Sequence, residues 1–215
     1  MTILTKPKAK TRVLANYEKV VPRYDRTHAR WLRDCGAEAQ AALESAVRTR
    51  LVPGDHLLDV GCGTGAFARR LARDDGDSIH LTLADPCRGM LDLCDDFPAC
   101  RFRAPLEDLP DADASQNIVT CAWAFELAAD PSRAATELLR VLKPGGLLAM
   151  AFCARKPGES LTAKLWRHRI EARGMGAFLD PCEVAQQFES HPGITVRATP
   201  AAGPAAALLV FKAGF

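Results

Sequence analysis

A chain of 215 residues with 48% apolar and 25% charged side chains can bury one sizeable core behind a solvated surface, which suits a single α/β domain with a short extension and excludes a disordered chain. The formal net charge of +2 is too small to point to nucleic acid, so no nucleic-acid partner is expected. No run of about 18 uncharged apolar residues marks a membrane span, and Lys6, Lys8, Lys10 and Arg12 have no apolar signal-peptide core behind them; a cytoplasmic location is expected.

Residues 1–11 are polar and basic and read as a mobile tail. From Val13 to Val47 the apolar and aromatic residues recur at helical spacing, with Pro22 and Gly36 as interruptions, which predicts two or three short helices. Pro53-Gly54 turns the chain into an apolar strand, His56–Val60, followed by glycines and a helix over Ala66–Arg73. The alternation then continues with a strand at Ile79–Ala84, a helix at Pro86–Asp95, strands at Cys100–Arg103 and Ile118–Ala122, a helix at Pro131–Leu142 and a strand at Leu147–Phe152. Such alternation predicts an α/β fold, a doubly wound and mostly parallel sheet with helices on both faces. Beyond Phe152 come a basic amphipathic stretch around Leu161–Arg173, a helix near Cys182–Glu189 and two final strands, near Thr195 and at Ala207–Phe211.

The eight cysteines, Cys35, Cys62, Cys87, Cys94, Cys100, Cys121, Cys153 and Cys182, contain no C-x-x-C pair. A chain of this size needs no disulfide staples, so reduced core thiols are expected and no metal site is assigned.

The chemistry concentrates in Asp59-Val60-Gly61-Cys62-Gly63-Thr64-Gly65, between the first strand and its helix. Glycines there allow a tight turn and a close approach of ligand to backbone. Gly61, Gly63 and Ala66 also satisfy the dinucleotide pattern G-x-G-x-x-G/A, so two cofactor classes compete. Asp59 separates them, because a carboxylate beside the loop repels a pyrophosphate but attracts an ammonium or a sulfonium. Its other reading is a hydrogen-bond acceptor at the helix start. Asp85 ends the second strand, twenty residues past Gly65, where an acid in nucleoside-binding folds accepts from both ribose hydroxyls; the alternative is a cap for the helix that Pro86 opens.

The strings LLDVGCGTG, LADPCRGML, APLEDLP and ELLRVLKPGGLL, in this order and spacing, resemble the class I S-adenosylmethionine-dependent methyltransferases, in particular the subgroup acting on quinone precursors and similar small molecules. The resemblance runs from about Leu51 to Phe152. It implies a seven-stranded Rossmann-like sheet over residues 51–215, preceded by a tail and helical lid over 1–50. It further implies S-adenosylmethionine as cofactor, with Asp59, Gly61, Cys62, Gly63 and Gly65 along the methionine portion, Asp85 and Pro86 at the ribose, and Leu106 and Glu107 beside the adenine. Where the family commonly carries an aspartate before that last pair, this chain has Pro105. Tyr17 and Tyr24, with Asp25 and Arg26, resemble the segment that closes over the cofactor in this subgroup, which places Tyr24 at the cofactor. Leu142-Lys143-Pro144-Gly145-Gly146 looks like the family's structural turn into the fifth strand, with no role for Lys143 beyond that.

Methyl transfer is an in-line displacement at an activated carbon, so the protein supplies alignment and, for a phenol or alcohol acceptor, a base. Glu126, just past the fourth strand, is the candidate base, flanked by Trp123 and Phe125 as candidate pocket walls. Arg155, Lys156, Lys164, Arg167, His168, Arg169 and Arg173, interleaved with Leu161, Leu165, Trp166 and Ile170, fall where the family shapes its acceptor pocket. The expected partner is therefore a small-molecule acceptor, acidic or carrier-bound, with a membrane surface or a merely solvated face as alternatives. Two further readings stand beside transfer to a small molecule: carboxyl methylation of a carrier-bound acid, and cofactor binding without turnover.

Overall fold

The structure, a computed structural model, describes residues 7–76, 78–155, 158, 160–172, 176–199 and 203–214. Helices α1 (Pro7–Val20), α2 (Tyr24–Trp31) and α3 (Ala37–Arg50) precede the first strand, separated by a 3-10 turn at Val21–Arg23 and a π-helical turn at Leu32–Gly36. The expected interruptions at Pro22 and Gly36 are thus both present. The mobile tail is corrected in part: Pro7–Lys10 already form the first turn of α1, since a proline fits the first helical position, and residues 1–6 lie outside the described residues.

Seven strands follow, β1 (His56–Val60), β2 (His80–Ala84), β3 (Cys100–Phe102), β4 (Gln116–Ala122), β5 (Leu142–Cys153), β6 (Ile194–Thr199) and β7 (Ala205–Lys212). They form one sheet in the order β3-β2-β1-β4-β5-β7-β6. The first five run parallel, and β7 lies antiparallel between β5 and β6. Helices α4 (Ala66–Asp75), α5 (Arg88–Leu91), α6 (Pro131–Val141), α7 (Leu161–Ala172) and α8 (Pro181–Glu189) complete the fold. No helix among the described residues is long and apolar enough to cross a membrane.

Two apolar layers hold the sheet. Leu57 of β1 packs with Leu43 and Val47 of α3 and with Phe67 and Leu71 of α4. Leu58 and Val60 face the opposite way, toward Leu138 and Val141 of α6 and Val184 and Phe188 of α8. This is the alternation that a strand with helices on both sides requires. Asp59, between Leu58 and Val60, shares the face of Leu57 and of α3 and α4, so α3 belongs to the layer that covers the site as much as to the segment ahead of it.

Two elements differ from expectation. The helix predicted over Pro86–Asp95 shortens to Arg88–Leu91: the Asp85 carboxylate already takes the Cys87 N–H, and the chain leaves the helix in tight turns, Leu93 N to Met90 O and Cys94 N to Leu91 O. The turn expected at Leu142–Gly146 is part of β5. Leu142 pairs with Gln116, and pairing resumes at Leu147 opposite Ile118. Lys143–Gly146 therefore loop out of the ladder as a bulge, with Gly145 at φ 76°.

The Phe188 ring, fully buried, meets the Phe125 ring at 5.7 Å between centroids and fastens α8 beneath the segment that follows β4. Phe188→Ala is expected to cost about 3–5 kcal/mol in denaturant unfolding with an unchanged slope; a loss under about 1 kcal/mol would mean that the site collapses around the smaller side chain.

Candidate active site

The strand order reverses at β1 and β4, which leaves a crevice at their carboxyl ends. The loop after β1 fills its floor. Gly61, Gly63 and Gly65 all have positive φ (68°, 54° and 71°), a conformation open to glycine at little cost. Gly61 and Cys62 donate their N–H groups to Ala84 O at the end of β2, and Gly63 N–H donates to Asp85 Oδ2 at 2.9 Å. The loop is thereby tied to the neighbouring strand end at three successive amides.

Two chambers open from this floor, of roughly 750 and 870 Å³ counting their open mouths, within the size range of small-molecule sites. They meet at Tyr24, Gly61 and Trp123. The first is apolar, with Val13, Leu14 and Tyr17 of α1 on one side, Met90, Pro105 and Leu106 on the other, and Asp85 at its edge. The second is polar, with Asp25, His28, Gln40, Asp59, Thr64 and Arg70 among its walls.

Of the residues singled out in the sequence, Gly61, Gly63, Asp85, Pro86, Leu106, Glu107 and Tyr24 line the first chamber and Asp59 and Cys62 line the second. Gly65 lies on neither wall; its φ of 71° starts α4. Asp85 divides its carboxylate between Gly63 N–H and Cys87 N–H, so it fastens the loop and the start of α5 while still facing the cavity. Glu107 accepts from the N–H groups of Ala129 and Asp130, and Arg133 donates to its carbonyl. Its carboxylate thus braces the loop ahead of α6.

Glu126 sits in a 3-10 turn at Phe125–Leu127 and is 9% exposed, yet it is not on the wall of either chamber. Its Oε1 accepts the Cys153 N–H at 3.2 Å, while Oε2 has no hydrogen-bond partner among the described residues. Burial pushes its carboxyl up to about 7. Its charge is felt by both Tyr17 and Tyr24, whose own burial holds the phenols well above their usual range. Burial likewise raises Asp59 to about 7, against the Thr120 hydroxyl that donates to it at 2.7 Å, and raises Asp85 to about 6. The crevice therefore gathers two carboxyls raised toward neutrality, Asp59 and Asp85, with Glu126 as a third behind its wall, and raised acids of this kind are common at functional sites.

The helices ahead of the sheet cover both chambers. Thr64 donates its hydroxyl to Asp25, Glu18 accepts the Arg88 N–H at 3.1 Å, and the Tyr24 ring stacks on His28 at 5.4 Å. Burial keeps His28 below the usual imidazole range. Trp123, at φ 58°, donates its indole N–H to Gln40 at 2.8 Å; Gln40 in turn reaches Glu44, and Glu44 pairs with Arg70. A non-glycine residue at positive φ is rare and collects at functional sites.

His28, Gln40 and Arg70 were not anticipated from the sequence. Arg70 carried a signal, four residues after Ala66 and so one turn into the helix after the glycines; Gln40 carried only a polar side chain on an otherwise apolar helical face. Of the basic stretch, Lys156 and Arg173 lie outside the described residues. Arg155 lies ahead of α7 and pairs with Glu183 of α8, and the remaining residues lie in α7, which has no buried residue and leaves Leu161, Leu165 and Trp166 exposed.

Comparison with known proteins agrees with this geometry. Residues 58–150 match the methyltransferase domain family. The malonyl-[acyl-carrier protein] O-methyltransferase of Dechloromonas aromatica is 35% identical over 156 residues, covering 70% of this chain and 56% of that protein. The demethylmenaquinone methyltransferase of Clavibacter sepedonicus is 31% identical over 150 residues, covering 67% and 59%. The chain thus spans a little over half the length of these curated relatives. Among solved structures, a chain of the Haloferax volcanii complex between the Trm112 methyltransferase activator and a methyltransferase superposes with a TM-score of 0.71 at 19% identity, covering 92% of this chain and 97% of that one; this shows the shared fold.

The glycine loop offers a direct test of the floor. A Cβ on Gly61 would stand 2.2 Å from the Ala124 Cβ, whereas one on Gly145 would meet nothing within 4 Å. Both have positive φ, so Gly145→Ala should cost only the conformational strain of about 1–2 kcal/mol. Gly61→Ala should lower the unfolding free energy by clearly more, and equal losses in the two variants would show that the loop yields freely.

Proposed function

We propose that the chain is a class I S-adenosylmethionine-dependent methyltransferase and that it moves the methyl group of S-adenosylmethionine onto a small-molecule acceptor. The observation that carries this reading is the pairing of an apolar and a polar chamber across one glycine floor. The donor set suits the cofactor at each end. Met90, Pro86 and Leu106 offer an apolar slot for the adenine beside Asp85, whose carboxylate suits the ribose hydroxyls. Asp59 and Arg70, on the walls of the second chamber, match the ammonium and carboxylate of an amino-acid tail. A dinucleotide would bring its pyrophosphate against buried acids instead.

When bound, the cofactor supplies a methyl group on a positive sulfur, already activated for displacement. The chain's residues supply the rest. Gly61 and Gly63 let the backbone approach, Tyr24 and Trp123 stand where the chambers meet, and α1 and α2 exclude water through the Thr64–Asp25 and Arg88–Glu18 bonds. Val13, Leu14 and Tyr17 form the wall left for the acceptor. Glu126 is proposed as the base, supported by its raised pKa and its unpartnered oxygen. It stands one layer behind the wall, so it takes its proton through Tyr17 or Tyr24, or from an acceptor that enters past them.

A second reading, carboxyl methylation of a carrier-bound acid, is favoured by α7, where Leu161, Leu165 and Trp166 stand exposed among Lys164, His168 and Arg169. A base-labile ester as product would establish it; a base-stable product would exclude it.

Binding of S-adenosylhomocysteine should exceed binding of NAD by a wide margin in calorimetry, and the reverse preference would overturn the central reading. A cationic ammonium favours ionised Asp59, which burial holds near 7. Protons are therefore released on binding, and affinity should climb from about pH 6 to about pH 8 before levelling. A flat profile would remove Asp59 from the contact.

Glu126→Gln should lower turnover at least ~100-fold while cofactor affinity stays near normal. Unaffected turnover would leave Glu126 a buried structural acid.

A further inference from the structure

We propose that Cys62 and Cys94 form a reversible disulfide that closes the cofactor loop. The inference rests on the reading of that loop as the cofactor floor, but the cross-link itself does not. Cys62 stands between Gly61 and Gly63, half-buried on the wall of the second chamber. Cys94 lies in the turn after α5 and is fully buried. Their sulfurs converge on one carbonyl: Cys62 Sγ lies 3.6 Å and Cys94 Sγ 3.5 Å from Gly63 O. A Cβ on Gly65 would stand 2.8 Å from Cys94 Sγ, so that sulfur is pressed into the loop at two of its glycines. The neighbouring Cys62 thiol and the nearby Arg69 guanidinium hold the Cys94 thiol below its usual range in spite of burial. All eight cysteines are free, so the pair is present in reduced form.

Hydrogen peroxide suffices as oxidant. Entering the second chamber, it meets Cys62 first: the O–O bond breaks, the Cys62 thiol becomes a sulfenic acid and water leaves. The Cys94 thiolate then attacks the Cys62 sulfur, the S–S bond forms, and the hydroxide leaves as water with the Cys94 proton. Two thiols lose one electron each and the peroxide gains two. A thiol reductant reverses the step by exchange.

The disulfide must alter the floor. Bonded sulfurs stand about 2.05 Å apart, much closer than two thiols that are not bonded, and Cys62 can move only by drawing its neighbours with it. Those neighbours carry the bonds that shape the loop, Gly61 and Cys62 N–H to Ala84 O and Gly63 N–H to Asp85. The oxidised loop is therefore held away from the conformation that admits the cofactor, and bound cofactor, covering the Cys62 wall, protects the pair.

The test treats the full chain with hydrogen peroxide, with and without S-adenosylhomocysteine, and digests it with trypsin under non-reducing conditions. Leu51–Arg69 should appear joined to Gly89–Arg101, with fragment ions that place the bond on Cys94 rather than Cys100. Pre-bound S-adenosylhomocysteine should slow the reaction at least 10-fold. The oxidised protein should bind it at least 10-fold more weakly, with recovery in dithiothreitol. Cys94→Ala and Cys94→Ser should show equal affinities before and after peroxide. Two reduced thiols after treatment would overturn the proposal whether or not the variants fold, as would peroxide-induced loss of affinity in a folded Cys94 variant. A mapped disulfide with unaltered cofactor affinity would keep the cross-link, reject the switch and bring the placing of the cofactor on this loop into question.

Discussion

The contact between Gly61 and Ala124 is the constraint from which the site follows. It leaves no room for a Cβ on the glycine, which brings the carboxyl ends of β1 and β4 together at the point where the strand order reverses. With the two ends this close, the residue between β4 and Ala124 has to turn sharply, and Trp123 adopts its left-handed backbone there. The indole then projects between the chambers and is fixed by Gln40. One steric contact thus sets the floor, the partition and the anchoring of α3 to the site.

Electrostatics follows from the same enclosure. Asp59, Asp85 and Glu126 are each at least nine-tenths buried, and burial penalises their charged forms more than their hydrogen bonds favour them. Above their unfolded values such acids oppose folding, because the unfolded chain ionises more readily. A fold selected for stability alone would place leucines here; the acids fit a site that receives positive charge. The covering helices act in the same sense, since Asp25 and Glu18 are spent on bonds to the loops and not on solvent.

Much of this was legible in the sequence because it rested on local rules. The strand and helix periods, the glycines after β1, the acids at the ends of β1 and β2 and the prolines at helix starts each report on a few neighbouring residues. Misreadings arose where distant groups decide. The shortening of α5 depends on Asp85 reaching the Cys87 amide, and the bulge at Lys143–Gly146 depends on the register of β4. The partnership of Trp123, Gln40, Glu44 and Arg70 joins three elements from widely separated parts of the chain, and no spacing rule connects them. Glu126 was found by its position at the sheet edge, but its place behind the wall depends on how Cys153 and the 3-10 turn pack.

The place of β7 bears on how the chain is made. It is the last strand of this sequence, yet it lies between β5 and β6 and pairs with β5 along seven residues, from Leu147 opposite Phe211 to Cys153 opposite Ala205. During synthesis the edge of β5 stays open after the whole cofactor half has left the ribosome, and β6 has no sheet to join. An open edge of apolar residues invites pairing with another nascent copy. Completion of the sheet therefore waits until Ala205–Lys212 have been made, and that interval is when the β5 edge is most exposed to mispairing.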